Sequence, residues 1–209
     1  MLFAEDLFLI QHRPRKIFNI MNIKSRFACC LLLTTLFSPA YAKVFTPPGE
    51  ISYMGKTYKL AYENSAPNGR AIFEYTTDNE SIEKWSSLIT LNYSKSLIIS
   101  PQKWAEAIKA SSDRQIPKPH YDLYLKGNNG YARLIFEPDP KNPAYESNVH
   151  KSFHLEACNG LLVFQYAKKY PQGAELSPAE KLATLKQIAA ENTQFAASME
   201  KSEWSPDCK

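Results

Sequence analysis

Three histidines outside the N-terminal forty-two residues are candidates for metal or proton chemistry: His120, His150 and His154. His150 and His154 lie four apart in a segment that reads as a strand. On a strand they share one face but stand about 13 Å apart, at about 3.3 Å per residue. One metal ion cannot be gripped across that gap without a bend, and His120 is remote in sequence, so the spacing points to structural or surface roles. Asp113, Asp122, Glu137 and Asp139 are the carboxylates available for acid–base work. Such work needs a shaped cleft, which no spacing in the chain supplies, and a solvated surface is the simpler reading. Ser86, Ser87 and Ser100 lie in no nucleophile elbow, and the isolated glycines form no phosphate-binding loop. These residues assign no catalytic group, no cofactor and no metal site.

The cysteines say more. Cys29 and Cys30 sit inside an apolar run near the N-terminus, ahead of where a lipid-modified cysteine belongs. Cys158 and Cys208 stand apart, with no C-x-x-C and no histidine cluster beside them. In an oxidising compartment two such cysteines make one bond. Closing a loop of about 50 residues stabilises by roughly 4 kcal/mol in the chain-entropy picture.

The N-terminus specifies that compartment. Lys24 and Arg26 precede the apolar run Phe27–Phe37, Pro39 breaks it, and Ala40-Tyr41-Ala42 places small residues where a signal peptidase reads. This is the three-part pattern of a cleaved secretory leader. The run is about half the ~20 residues a membrane span needs, so no permanent anchor is expected. Met21 begins a leader of ordinary length, which makes Met1–Ile20 a start-site extension; the alternative is that those residues lengthen the leader. The expected organisation is therefore a leader at 21–42 and one α+β domain at 43–209, located in the periplasm or secreted.

Five of the 25 Lys and Arg and two of the 21 Asp and Glu fall in Met1–Ala42. The remainder carries 20 bases against 19 acids, a near-neutral surface with no electrostatic footprint for nucleic acid.

Hydrophobic periodicity supplies the elements. Glu50–Tyr62 alternates around Gly55 as a hairpin, Ala71–Tyr75 is a short strand, and Leu88–Tyr93 alternates again. Glu80–Lys84 reads as one helical turn capped by Asn79. Ser100-Pro101 opens a helix to about Ser112, with proline at the first helical position. Tyr121–Leu125 and Tyr131–Phe136 flank Asn128-Asn129-Gly130 as a hairpin. Glu137–Tyr145 carries three prolines and reads as a loop. Val149–Leu155 and Leu161–Tyr166 form a second hairpin around Asn159-Gly160. Ser177-Pro178-Ala179-Glu180 is a capping box, and Leu182, Leu185, Ile188, Ala189, Phe195 and Met199 mark one face of a long final helix. Hairpins followed by helices favour an antiparallel sheet flanked by helices. Tyrosines concentrate on the strands. Alternation places some in the core and others outside, where a tyrosine-rich face would make a binding surface.

The block Asp78–Tyr93, DNESIEKWSSLITLNY, resembles one in small exported bacterial proteins, with an acidic-polar turn followed by W-x-x-L/V-x-T. The order of elements is similar to the PsbP-like α/β sandwich, shared by Ran-binding Mog proteins. The resemblance implies a fold and a structural core role for Trp85, and no catalytic residues. The expected function is a non-enzymatic protein-binding module whose partner is another envelope or secreted protein. The competing readings are a small envelope hydrolase with a site assembled only in the fold, and a structural envelope protein.

Overall fold

Period-two alternation turns out to run further along the chain than apolar residues alone reveal. The computed structural model describes residues 43–78, 80–140, 142–171, 176–202 and 204–209. The expected leader with Ala40 and Ala42, the extension Met1–Ile20 and the expected cap Asn79 lie outside these residues. The strands are β1 (Glu50–Tyr53), β2 (Lys56–Ser65), β3 (Arg70–Thr76), β4 (Ser87–Lys95), β5 (His120–Lys126), β6 (Asn129–Phe136), β7 (Ala144–Leu155) and β8 (Gly160–Pro171). Helix α1 (Pro101–Ser112) joins β4 to β5, and α2 (Pro178–Lys201) follows β8. All eight strands form one antiparallel sheet in the order β1-β2-β3-β4-β8-β7-β6-β5. The architecture is α+β, as the hairpin pattern predicts, and Lys43–Lys209 forms one compact unit.

Both helices begin where their caps dictate. The Ser100 hydroxyl accepts from the Lys103 N–H at 3.2 Å. At α2 the capping is reciprocal: Ser177 N–H donates to Glu180 at 2.9 Å, and Glu180 N–H donates to Ser177 Oγ at 3.4 Å. Each such cap satisfies donors that the first turn leaves without partners.

The helices lie on opposite faces. Trp104 of α1 faces His150 of β7, ring centroids 6.5 Å apart. Asn192 of α2 donates to the hydroxyl of Ser147 at 2.8 Å. Ser147 and His150 differ by an odd number of positions on one strand and so point to opposite sides. The α2 side holds the main core: Tyr53, Tyr58, Phe73, Tyr75, Leu91, Phe164 and Tyr166 from the sheet, with Phe195 and Met199 from the helix. Ile188 and Phe195 are buried as the helical spacing predicts, whereas Leu182 is 54% exposed. The turn of the helix that faces the sheet also spends a position on a polar residue. Buried Asn192 donates to Leu134 O, Ser147 Oγ and Asn148 O, holding β6 and β7 to α2.

Several local expectations are corrected. Ser81–Lys84 forms a bridged turn and no helix. The Glu80 carboxylate accepts from Thr77 Oγ1, Ser86 N and Ser86 Oγ, which closes the loop on itself. The β5–β6 turn is Gly127-Asn128, with Gly127 at φ 57°, and Gly130 belongs to β6. Gly130 is a glycine for packing: a Cβ there would meet Trp104 and Ser152 at 2.7 Å. Strand β7 begins at Ala144, inside the expected loop, because Glu146, Ser147 and Asn148 are polar strand residues and give no apolar signal. Trp85 is half-buried rather than core. It precedes β4 and lies against Lys169, whose Nζ is 3.9 Å from the ring centroid. The core tryptophan is Trp104, fully buried under α1.

Cys158 and Cys208 are bonded, with Cα atoms 5.5 Å apart. Phe45 bridges Cys208, and the backbones of Val44 and Lys209 exchange hydrogen bonds. The bond thus fixes the C-terminal tail to the turn between β7 and β8.

Candidate functional site

Pairing register locates the polar side chains that the core does not use. Tyr62 stands opposite Glu74, Glu74 opposite Thr90, Thr90 opposite Gln165, and Gln165 opposite His150. These five residues form one straight row across β2, β3, β4, β8 and β7, about 20 Å long at about 4.8 Å per strand. Since His150 lies on the α1 side, the whole row does. Helix α1 packs over β5, β6 and β7. The row therefore passes from beneath the helix, at His150, onto the part of the sheet beyond it. The topology explains the open part: four strands and a helix occur twice in sequence, but α2 crosses to the other face instead of matching α1 on this one.

Along the row His150 and Thr90 are buried, Gln165 and Glu74 are half-buried, and Tyr62, at the far end, is 38% exposed. Burial pushes the His150 imidazole down to about 4, so the ring is neutral. Burial likewise raises the Glu74 carboxyl above its ordinary value. Among the described residues, the side chains of Glu74, Thr90 and Asn92 make no hydrogen bond or ion pair. Asn92 sits beside the row on β4, opposite Ile72 and Val163.

Gln165 connects the row to a cleft. Its amide donates to Asn148 Oδ1 at 2.8 Å, and Asn148 Nδ2 donates to Glu146 at 2.8 Å. Glu146 lines a surface cleft of about 280 Å³ with Gln115, Ile116, Pro117, Phe136, Glu137, Asp139 and Asn142. The carboxylates there are already engaged. Glu137 takes Lys181 at 2.5 Å and His120 at 2.9 Å, and these two partners hold it below the usual carboxylate range. Asp139 accepts from the Asn142 N–H at 2.9 Å. A carboxylate held in its ionised form by a lysine and a histidine ring is poorly matched to proton transfer near neutrality. The side chains lining this cleft include no serine, threonine or cysteine to serve as a nucleophile.

Of the residues singled out from sequence, His120, Glu137 and Asp139 meet at this cleft, and the others lie elsewhere. His154 is exposed, four positions along β7 from buried His150. Asp113 is held well below its ordinary range by Lys109, Lys118 and Tyr121, and Asp122 pairs with Arg133. Ser86 binds Glu80, Ser87 binds Tyr58, and Ser100 caps α1. Among the described residues no cluster of three or more His, Cys, Asp or Glu could hold a metal ion, and no helix is long and apolar enough to cross a membrane.

The tyrosine-rich face does not form. Tyr53, Tyr58, Tyr75, Tyr93, Tyr131, Tyr145 and Tyr166 are buried. Their ring edges reach internal acceptors: Tyr53 donates to Phe195 O, Tyr75 to Pro48 O and Tyr93 to Cys158 O. Alternation sends these rings to the α2 side, and on β3 and β8 the outward neighbours of Tyr75 and Tyr166 are Glu74 and Gln165 of the row. Glu74 lies between Phe73 and Tyr75, and Thr90 between Ile89 and Leu91. The signal that could have found the row is this alternation, read for its polar phase.

A protein-family model matches residues 45–204. An uncharacterised protein of Haemophilus influenzae is 26% identical over 165 residues, covering 75% of this chain and 79% of the relative. No solved structure matches significantly.

Proposed function

The chain belongs to this family of small bacterial proteins, and from that premise we propose that it is an exported, non-enzymatic protein that binds another envelope or secreted protein through the open polar face of its sheet. One observation carries the reading: Glu74, Thr90 and Asn92 present hydrogen-bonding groups without partners among the described residues, on a rigid antiparallel scaffold. Polar groups held buried or half-buried and unsatisfied gain most when a partner both excludes water and supplies the missing bonds. The bonded cysteines and the leader pattern support an oxidising destination, the periplasm or beyond the cell. The element order, strands then helix then strands then a long helix, supports reading the fold as PsbP-like.

The test uses the mature chain, Lys43–Lys209, as bait for an envelope extract. Asn92→Arg places a long cation in the middle of the face, and Ala190→Arg makes the same change on the outer surface of α2. A partner retained by the parent and by Ala190→Arg but lost by Asn92→Arg supports the proposal. Equal retention by all three contradicts it.

A further inference from the structure

Among the described residues, Glu74 is a charge on this face with no ion pair. It is half-buried, and among the described residues its carboxylate has neither a hydrogen bond nor an ion pair. Its cross-strand neighbours, Tyr62 and Thr90, are neutral. The cations nearest in the strand order are occupied: Lys59 pairs with Asp78 at 2.9 Å, and Lys169 lies on the Trp85 ring. Arg70, four residues along β3 on the same face, has an interaction of its own. The only influence raising the Glu74 carboxyl is burial, with no charged neighbour contributing.

Resting on the binding role proposed above, we infer that the partner docks a basic side chain, an arginine or a lysine, onto Glu74. The incoming cation would lie beside the Thr90 hydroxyl, with the Gln165 amide on the next strand and the Asn92 amide two residues along β4. A half-desolvated carboxylate interacts more strongly with a cation than a solvated one does, because water screens it less. A planar guanidinium suits the site better than an ammonium, since it can meet the carboxylate with two donors and still reach a neighbouring oxygen. Neutral ligands such as glycans could use the same hydroxyl and amides but would leave the Glu74 charge uncompensated.

The mature protein is titrated with Nα-acetyl-arginine amide at low ionic strength and followed by amide chemical shifts. Nα-acetyl-citrulline amide is the isosteric neutral control. The expected result is a saturable set of shifts centred on Glu74, Thr90 and Gln165 for the arginine probe, absent for citrulline. Glu74→Gln should weaken the arginine response at least about tenfold, the scale on which loss of one charge-assisted pair is read, while Glu74→Asp retains part of it. An otherwise unchanged spectrum verifies that each variant is folded. Equal responses to arginine and citrulline overturn the inference, as does an N-acetylglucosamine oligomer that shifts the same amides where the arginine probe does not. In either case, loss of partner capture in Asn92→Arg would leave the binding role standing without the cation.

Discussion

Lowering the pH through the histidine range tests the burial of His150 directly. The imidazole titrates near 6.5 when exposed to water and at about 4 in the folded protein, because burial penalises the charged ring. The unfolded chain therefore binds this proton first. Well above pH 6.5 the group has no effect on stability; between about 6.5 and about 4, protonation favours the unfolded chain. The loss reaches about 1 kcal/mol near pH 5.5 and about 3 kcal/mol over the whole interval, at about 1.4 kcal/mol per unit. Glu74 acts in the opposite sense, since its raised carboxyl takes up a proton in the folded state first. Most carboxylates held low, Glu137 among them, matter only below their ordinary range, so the upper half of the window belongs chiefly to His150. The comparison that isolates it is urea unfolding of the parent and of His150→Gln at a series of pH values, followed by tryptophan fluorescence. The parent should lose stability relative to the variant as pH falls, and the Glu74 contribution cancels in the difference. Parallel stability curves for the two proteins would refute the reasoning.

Trp104→Ala should cost about 3–5 kcal/mol by truncating a fully buried ring, whereas Trp85→Ala should cost about 1 kcal/mol or less, the scale of a half-exposed cation–π contact; thermal melts of the two variants distinguish them. Replacing both Cys158 and Cys208 with alanine should destabilise by up to about 4 kcal/mol, read as a lower urea midpoint, and a midpoint unaffected by reductant in the parent would deny the bond any role. Asn192→Leu should cost about 1–3 kcal/mol by stranding the buried Ser147 hydroxyl and the Leu134 and Asn148 carbonyls, checked by chemical denaturation.

The sequence was most legible where one physical rule acted alone. Ser177, Pro178 and Glu180 announce α2 because capping is local, and Ser100-Pro101 announces α1 for the same reason. The apolar phase of β3 and β4 was readable because Phe73, Tyr75, Ile89 and Leu91 alternate. Long-range compensation was harder to see. Glu146, Ser147 and Asn148 look like loop residues until Asn192, more than forty positions away, is seen to satisfy two of them. The family resemblance implies a core role for Trp85, but burial goes to Trp104, for which Gly130 makes room. The tyrosines offered a binding face by composition, yet strand phase turned most of them inward. The candidate site was concealed because it consists of what remains: the polar phase of strands recognised by their apolar phase, opened by the side of the sheet that α2 chose.

The account stands on whether that open face meets a protein in the cell. A photo-activatable cross-linking residue at position 92, in the middle of the face, and one at position 190, on the outer surface of α2, report on the two surfaces in living cells. Irradiation should give a discrete cross-linked protein in the envelope fraction from position 92 and not from position 190. A product from position 190 alone, or from neither position, would contradict the account.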